Sequence, residues 1–157
     1  MSYEIRSILY ASDLTPRSPA VFRHAIGMAQ KFGARLHAVT VTVQTNALPF
    51  TEFIKQETYD EIKAAGRNQA EALLQQRIDI FAEAYPEFEV KKYLASVRAL
   101  EGEPARQILD AAKHTLADMI VMGSRGHSAI GELLLGSVAH KVTMKADVPV
   151  VLVPIDR

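Results

Sequence analysis

Two patterns of hydrophobic and polar positions alternate along the chain. Short apolar, β-branched runs fall at about Ile5 to Ser12, Arg35 to Val43, Glu89 to Val97, Met119 to Met122 and Val148 to Val153, and such runs read as strands. Between them, apolar residues recur at helical spacing: Val21, Ala25, Met28, Ala29 and Phe32, then Ala70, Leu74, Ile78, Phe81 and Tyr85, then Ile108, Leu109, Ala112 and Leu116. The punctuation agrees. Ser18 before Pro19 marks a helix start with proline at the first helical position, and Gly33 marks its end. Gln44 to Pro49 reads as a loop, followed by a long helix over about Glu52 to Ala84 that Gly66 can kink or fray and Pro86 stops. Pro104 opens a third helix, and a fourth runs from Ser137 to about Lys145. This alternation predicts a parallel α/β sheet in one domain. Glu89 to Val97 alternates as an exposed edge strand does, whereas Met119 to Met122 is short and uniformly apolar, as an interior strand is.

Composition narrows the function classes. A chain of 157 residues can bury a real core. Its formal net charge is zero, which argues against a broad basic surface for nucleic acid or anionic membrane. There is no cysteine, so disulfides, thiolate catalysis and cysteine metal sites are excluded. His24, His37, His114, His127 and His140 are scattered and form no H-E-x-x-H pair, so no metal site is expected. No apolar run reaches membrane-spanning length. Met1 to Arg6 contains Glu4 and Arg6 and does not read as a secretory signal. The expected location is the cytoplasm.

The run from Val121 to Val138 carries the most chemistry. A strand-like stretch passes into a loop with glycines at 123, 126, 131 and 136, and a helix-like stretch begins at Ser137. Glycine permits positive φ and close backbone approach, and exposed N–H groups at a helix N-terminus attract anions. Arg125 adds positive charge, and Ser137 can cap the helix or donate its hydroxyl to a phosphate oxygen. Neither G-x-x-x-x-G-K-[ST] nor an early G-x-G-x-x-G is present. From the residues alone, the loop is a phosphate cradle or a plain connection. Asp13 is a turn residue or a ligand-binding carboxylate, and Met122 is a core residue or the floor of a site.

Gly123-x2-Gly126-x9-Gly136-Ser137 resembles the nucleotide loop of the universal stress protein family, in its ATP-binding branch. Ile8-Leu9-Tyr10-Ala11-Ser12-Asp13-Leu14, Gly102-Glu103-Pro104-Ala105, Ala117 to Gly123, Leu134 to Ala139 and Val148 to Val153 extend the resemblance over the whole chain. It implies an open, Rossmann-like, five-stranded parallel sheet of order 3-2-1-4-5 with helices on both faces. It also implies that Asp13 and Gly123 converge at the sheet's carboxyl edge. ATP, with or without Mg2+, is the implied ligand. Its base and ribose fall near Ala11, Asp13 and the backbone of Val41, with Met122 beneath, and its phosphates near Gly123, Arg125, Gly126, Gly136, Ser137 and Val138.

Phosphoryl transfer needs a base, metal ligands and charge stabilisation. Asp13 is the one evident carboxylate near the loop, and Ser124, Ser128 and Ser137 have no evident histidine–carboxylate partners. No catalytic residue is assigned. The expectation is an ATP-binding stress or regulatory factor with slow or no hydrolysis. The alternatives are an ATP-using phosphoryl- or adenylyl-transfer enzyme and a nucleotide-free interaction module. Residues 148–153 form a β-prone run that, at a sheet edge, would leave backbone groups unpaired. Antiparallel pairing with a second copy would satisfy them in a homodimer, and the resemblance implies the same arrangement. A further protein partner, such as a transporter or regulator, is left unidentified.

Overall fold

The computed structural model describes residues 2–43, 55–124 and 135–154. In chain order the elements are β1 (Ser7–Ser12), α1 (Ser18–Phe32), β2 (Arg35–Thr42), α2 (Gln56–Ala84), a 3-10 turn (Pro86–Phe88), α3 (Val90–Tyr93), β3 (Leu94–Glu101), α4 (Pro104–His114), β4 (Met119–Gly123), α5 (Ser137–Lys145) and β5 (Val150–Val153). The strands form a five-stranded sheet of order β3-β2-β1-β4-β5, with every neighbouring pair parallel. The expected fold is therefore the observed one.

β1 lies in the middle and all six of its residues are buried, which explains its unbroken apolar run. Its side chains alternate between two cores. Ile8 and Tyr10 pack with Phe22 and Ile26 of α1 and with Leu74, Ile78 and Phe81 of α2. Leu9 and Ala11 pack with Ile108 and Ala112 of α4 and Val142 of α5. An edge-to-face chain, Tyr10 to Phe22 at 5.4 Å and Phe22 to Phe81 at 5.0 Å, ties β1 through α1 to α2.

Several boundaries differ from the sequence expectation. β3 begins at Leu94 and continues to Glu101, so Glu89 to Val97 is not a strand throughout. Glu89 instead takes φ 48°, and Val90–Tyr93 make one helical turn that buries Val90. α2 runs as one helix through Gly66; its expected first residues, 52–54, lie outside the described residues, as does the loop at 44–49. Arg17, rather than Ser18, occupies the cap position of α1. Phe32, Tyr85 and Leu116, which continue the helical spacing of their apolar sets, are exposed. Leu116 follows the end of α4 with φ 52°, where the helical spacing no longer applies.

The two sheet edges are treated differently. Along β3, the Ala99 N–H donates to Glu71 Oε1 of α2 at 3.1 Å, and Glu101 pairs with Lys63 at 3.3 Å and Arg67 at 2.7 Å. α2 side chains thus block this edge. At β5, the Ile120 and Ser124 N–H groups of the β4 segment donate to the Pro149 and Val153 carbonyls. That register turns the odd-numbered residues of β5 toward β4 and leaves the backbone groups of Val150 and Leu152 on the outer edge. Among the described residues, no helix is long and apolar enough to cross a membrane.

Candidate functional site

β1 connects outward to β2, and β4 connects the other way to β5. The strand order therefore reverses between them, and open α/β sheets bind ligands beyond the carboxyl ends at such a point. A cleft of about 740 Å3 opens there. Ala11 stands opposite Met122 in the β1–β4 ladder. Ala11, Asp13, Val41, Met122, Gly123, Gly136, Ser137 and Val138 all line the cleft. Arg125 and Gly126 lie outside the described residues. Val39 and Ile108 join Val41 and Met122 in an apolar wall. Met122 is buried in the core with α4 and α5 and also lines the cleft.

The turn after β1 explains how Asp13 is held. Ser12 Oγ accepts the Leu14 N–H at 3.1 Å. Asp13 Oδ1 accepts both the Thr15 N–H at 3.0 Å and the Thr15 hydroxyl at 2.8 Å. Leu14 adopts φ 59°, a conformation leucine rarely takes. From α2, Arg77 Nη1 donates to the Leu14 carbonyl, to the Thr15 carbonyl at 2.8 Å and to Ser18 Oγ at 3.4 Å. Asp13 is thus a turn-forming residue that also lines the cleft. Beneath it, the Tyr10 hydroxyl donates to the Ser18 carbonyl at 3.3 Å. Burial pushes the Tyr10 phenol up to about 12, so it remains a neutral donor.

Two helix N-termini face the cleft. At α4, Glu103 accepts the Ala105 N–H at 3.3 Å and the Arg106 N–H at 2.9 Å, so the helix is capped by its own carboxylate. The Arg106 N–H is the main reason the Glu103 carboxyl lies below its ordinary value; burial opposes it, and the Ala105 N–H and Lys141 each add a smaller lowering. Lys141 of α5 reaches Glu103 Oε1 at 3.6 Å. At α5, no side chain among the described residues caps the helix. Ser137 is its first helical residue rather than its cap, which corrects that part of the sequence expectation. Gly136 holds the cap position at φ −55° and ψ 152°, so positive φ is not what places glycine there. The Gly136 N–H donates to the Ser124 carbonyl at 2.8 Å, and this bond brings the start of α5 to the end of β4. The N–H groups of Ser137, Val138 and Ala139 then have no acceptor within the helix, and all three residues line the cleft.

The cleft therefore joins an apolar wall to a helix N-terminus that favours negative charge. Among the described residues, no group of three His, Cys, Asp or Glu side chains is placed to hold a metal ion. Three contributors were not anticipated as site residues. Glu103 directly before Pro104 is a readable cap signal. Lys141 gives no sign beyond its charge. Arg77 gives none, because its contact with Leu14 spans 63 positions.

Residues 4–154 match the model of the universal stress protein family. The chain is 31% identical over 150 residues to the universal stress protein YxiE of Bacillus subtilis, an alignment covering 93% of this chain and 97% of that protein. The structure of universal stress protein UspA from Lactobacillus plantarum superposes with a TM-score of 0.71 at 25% identity, covering 99% of this chain and 100% of that one. A universal stress protein in complex with cAMP has the same fold, with a TM-score of 0.67 at 20% identity over 98% of this chain and 100% of that one. With sequence match, strand order and fold in agreement, the chain belongs to the universal stress protein family.

Proposed function

We propose that this protein is an ATP-binding stress or regulatory factor, with residues 1–157 acting as one nucleotide-binding domain in the cytoplasm. The observation that carries the reading is the contrast at the cleft: α4 is capped by Glu103, while α5 begins at a glycine, with no side-chain cap among the described residues. An anionic ligand would meet N–H groups that have no acceptor within the helix at α5, and a carboxylate at α4. The phosphates would lie against Gly123, Gly136, Ser137 and Val138, with Arg125 and Gly126 contributing from the intervening loop, and with Mg2+ as an optional counterion. The base would lie toward Ala11, Asp13 and Met122 and read the backbone of Val41. The apolar wall suits a purine ring, and the related fold in complex with cAMP supports an adenine nucleotide.

Asp13 is committed to its turn through Thr15, and among the described residues no water-activating base stands out beside the α5 N-terminus. Slow or no hydrolysis follows, with turnover far below the roughly 1–100 s⁻¹ of kinases. Nucleotide would then act by selecting a conformation or a partner surface, including that of a transporter or regulator. The open edge of β5, with Val148 and Pro149 before it, is the proposed homodimer seam.

Calorimetric titration with ATP and GTP tests the reading, together with mass spectrometry of nucleotide released on denaturation. ATP is expected to bind more tightly than GTP, because a mismatched base edge leaves buried groups unpaired. A folded Gly126→Val/Gly136→Val variant is expected to lose ATP. Undiminished affinity in that variant would remove the phosphates from this loop, and equal affinity for GTP would remove the base from Val41.

A further inference from the structure

We infer that Arg77 is a positioning residue for the nucleotide site: from α2 it holds the β1–α1 turn so that Asp13 meets the ribose and base end of the ligand. The inference rests on the nucleotide reading above and extends it to a residue outside the glycine loop. Arg77 Nη1 donates to the Leu14 and Thr15 carbonyls and to Ser18 Oγ, so one guanidinium gathers acceptors from both sides of the turn. It is half-buried on a helix anchored by Leu74, Ile78 and Phe81. The clamp is therefore mounted on the core rather than on a free surface arm.

The turn needs such a clamp. Leu14 sits at φ 59°, outside the conformations leucine prefers, and peptide-plane orientation there decides where its carbonyl points. With Arg77 in place, the carbonyls of Leu14 and Thr15 point toward α2, and the Thr15 N–H and hydroxyl point to Asp13 Oδ1. The carboxylate is then oriented before ligand arrives, and ordering it costs nothing on binding. All three contacts are made by one nitrogen, Nη1, so the shorter lysine ammonium would restore them only in part. The network's hydrogen bonds run from α2 to the β1–α1 turn, and the expected effect is confined to the Asp13 end of the cleft.

The experiment measures binding of ATP and of inorganic tripolyphosphate to wild type, Arg77→Ala, Arg77→Lys, Asp13→Ala and the Arg77→Ala/Asp13→Ala double variant, each checked for folding by circular dichroism. Arg77→Ala is expected to weaken ATP about tenfold, in line with loss of charge-assisted hydrogen bonds, and to leave tripolyphosphate unchanged. Arg77→Lys is expected to fall between wild type and Arg77→Ala. In the Asp13→Ala background the Arg77 substitution is expected to have no further effect, since it acts through that residue. Equal losses for ATP and tripolyphosphate, or additive effects of the two substitutions, would reduce Arg77 to a general structural role and overturn the inference. Wild-type affinity for ATP in folded Arg77→Ala and Arg77→Lys variants would overturn it as well. Wild-type protein that binds no adenine nucleotide would instead overturn the nucleotide reading and take the inference with it.

Discussion

Replacing Gly102 by alanine isolates the backbone strain at the rim of the cleft. Gly102 lies between β3 and Glu103 at φ 139°, and its N–H donates to the Thr42 carbonyl at 3.1 Å. That bond fixes the chain as it leaves the sheet for α4. An alanine there faces two costs. The first is conformational, because L residues rarely adopt this φ; positions of this kind cost about 1–3 kcal/mol. The second is steric, because the new Cβ would lie 2.8 Å from Gln107 Nε2 and 3.2 Å from Gln107 Cγ. Gln107 is a flexible side chain, so moving it off its rotamer costs about 0.5–1.5 kcal/mol at most. The sum is about 3 kcal/mol, mostly backbone, which for a domain of this size lowers Tm by about 6–12 °C. Differential scanning calorimetry of Gly102→Ala, Gln107→Ala and the double variant separates the two terms. The double variant is expected to recover the smaller, steric part only. A Gly102→Ala melt indistinguishable from wild type would refute the strain, and complete rescue by Gln107→Ala would show that crowding alone was responsible.

The opposite sign is expected at Gly66, which sits within α2 where an added Cβ would meet none of the described residues within 4 Å beyond its own helix; Gly66→Ala should stabilise by about 0.5–1 kcal/mol, read as a higher Tm, and a lower one would refute the open-space reading. Glu103 has its carboxyl held below its ordinary value of 4.5. Its stabilising contribution is therefore present above that value and lost as pH falls through the lowered folded-state value. The Tm advantage of wild type over Glu103→Gln should accordingly be largest near neutrality and shrink on acidification; a gap that is constant with pH would refute the assignment. The proposed dimer should scatter light as twice the monomer mass at micromolar concentration, and Leu152→Pro, which removes an outward-facing N–H of β5, should dissociate it while the variant stays folded. A monomeric wild type at high micromolar concentration would end the dimer proposal.

The sequence by itself determined most of the elements, because helix and strand periodicities are local. Leu9, Tyr10 and Ala11 form a continuous apolar run since β1 is buried on both faces, and Gly33 ends α1 with the left-handed φ of 65° expected of a helix terminator. The glycine spacing and the acidic residue after β1 were likewise legible as candidate chemistry, and resemblance to a family supplied the strand order. Tertiary structure decided the rest. Parallel pairing is made by backbone groups that every residue carries, so no local pattern shows that β1 lies beside β4 or brings Asp13 and Gly136 to one cleft. The same holds for which helix start is capped. Glu103 serves α4, but whether Ser137 or Gly136 takes the cap position of α5 depends on the Gly136 bond to Ser124 across the end of the sheet. Arg77 on the Leu14 turn and Glu71 on the β3 edge are long-range contacts of ordinary exposed-type residues. Their roles arise only when the fold removes water from around them and offers carbonyls or N–H groups in its place.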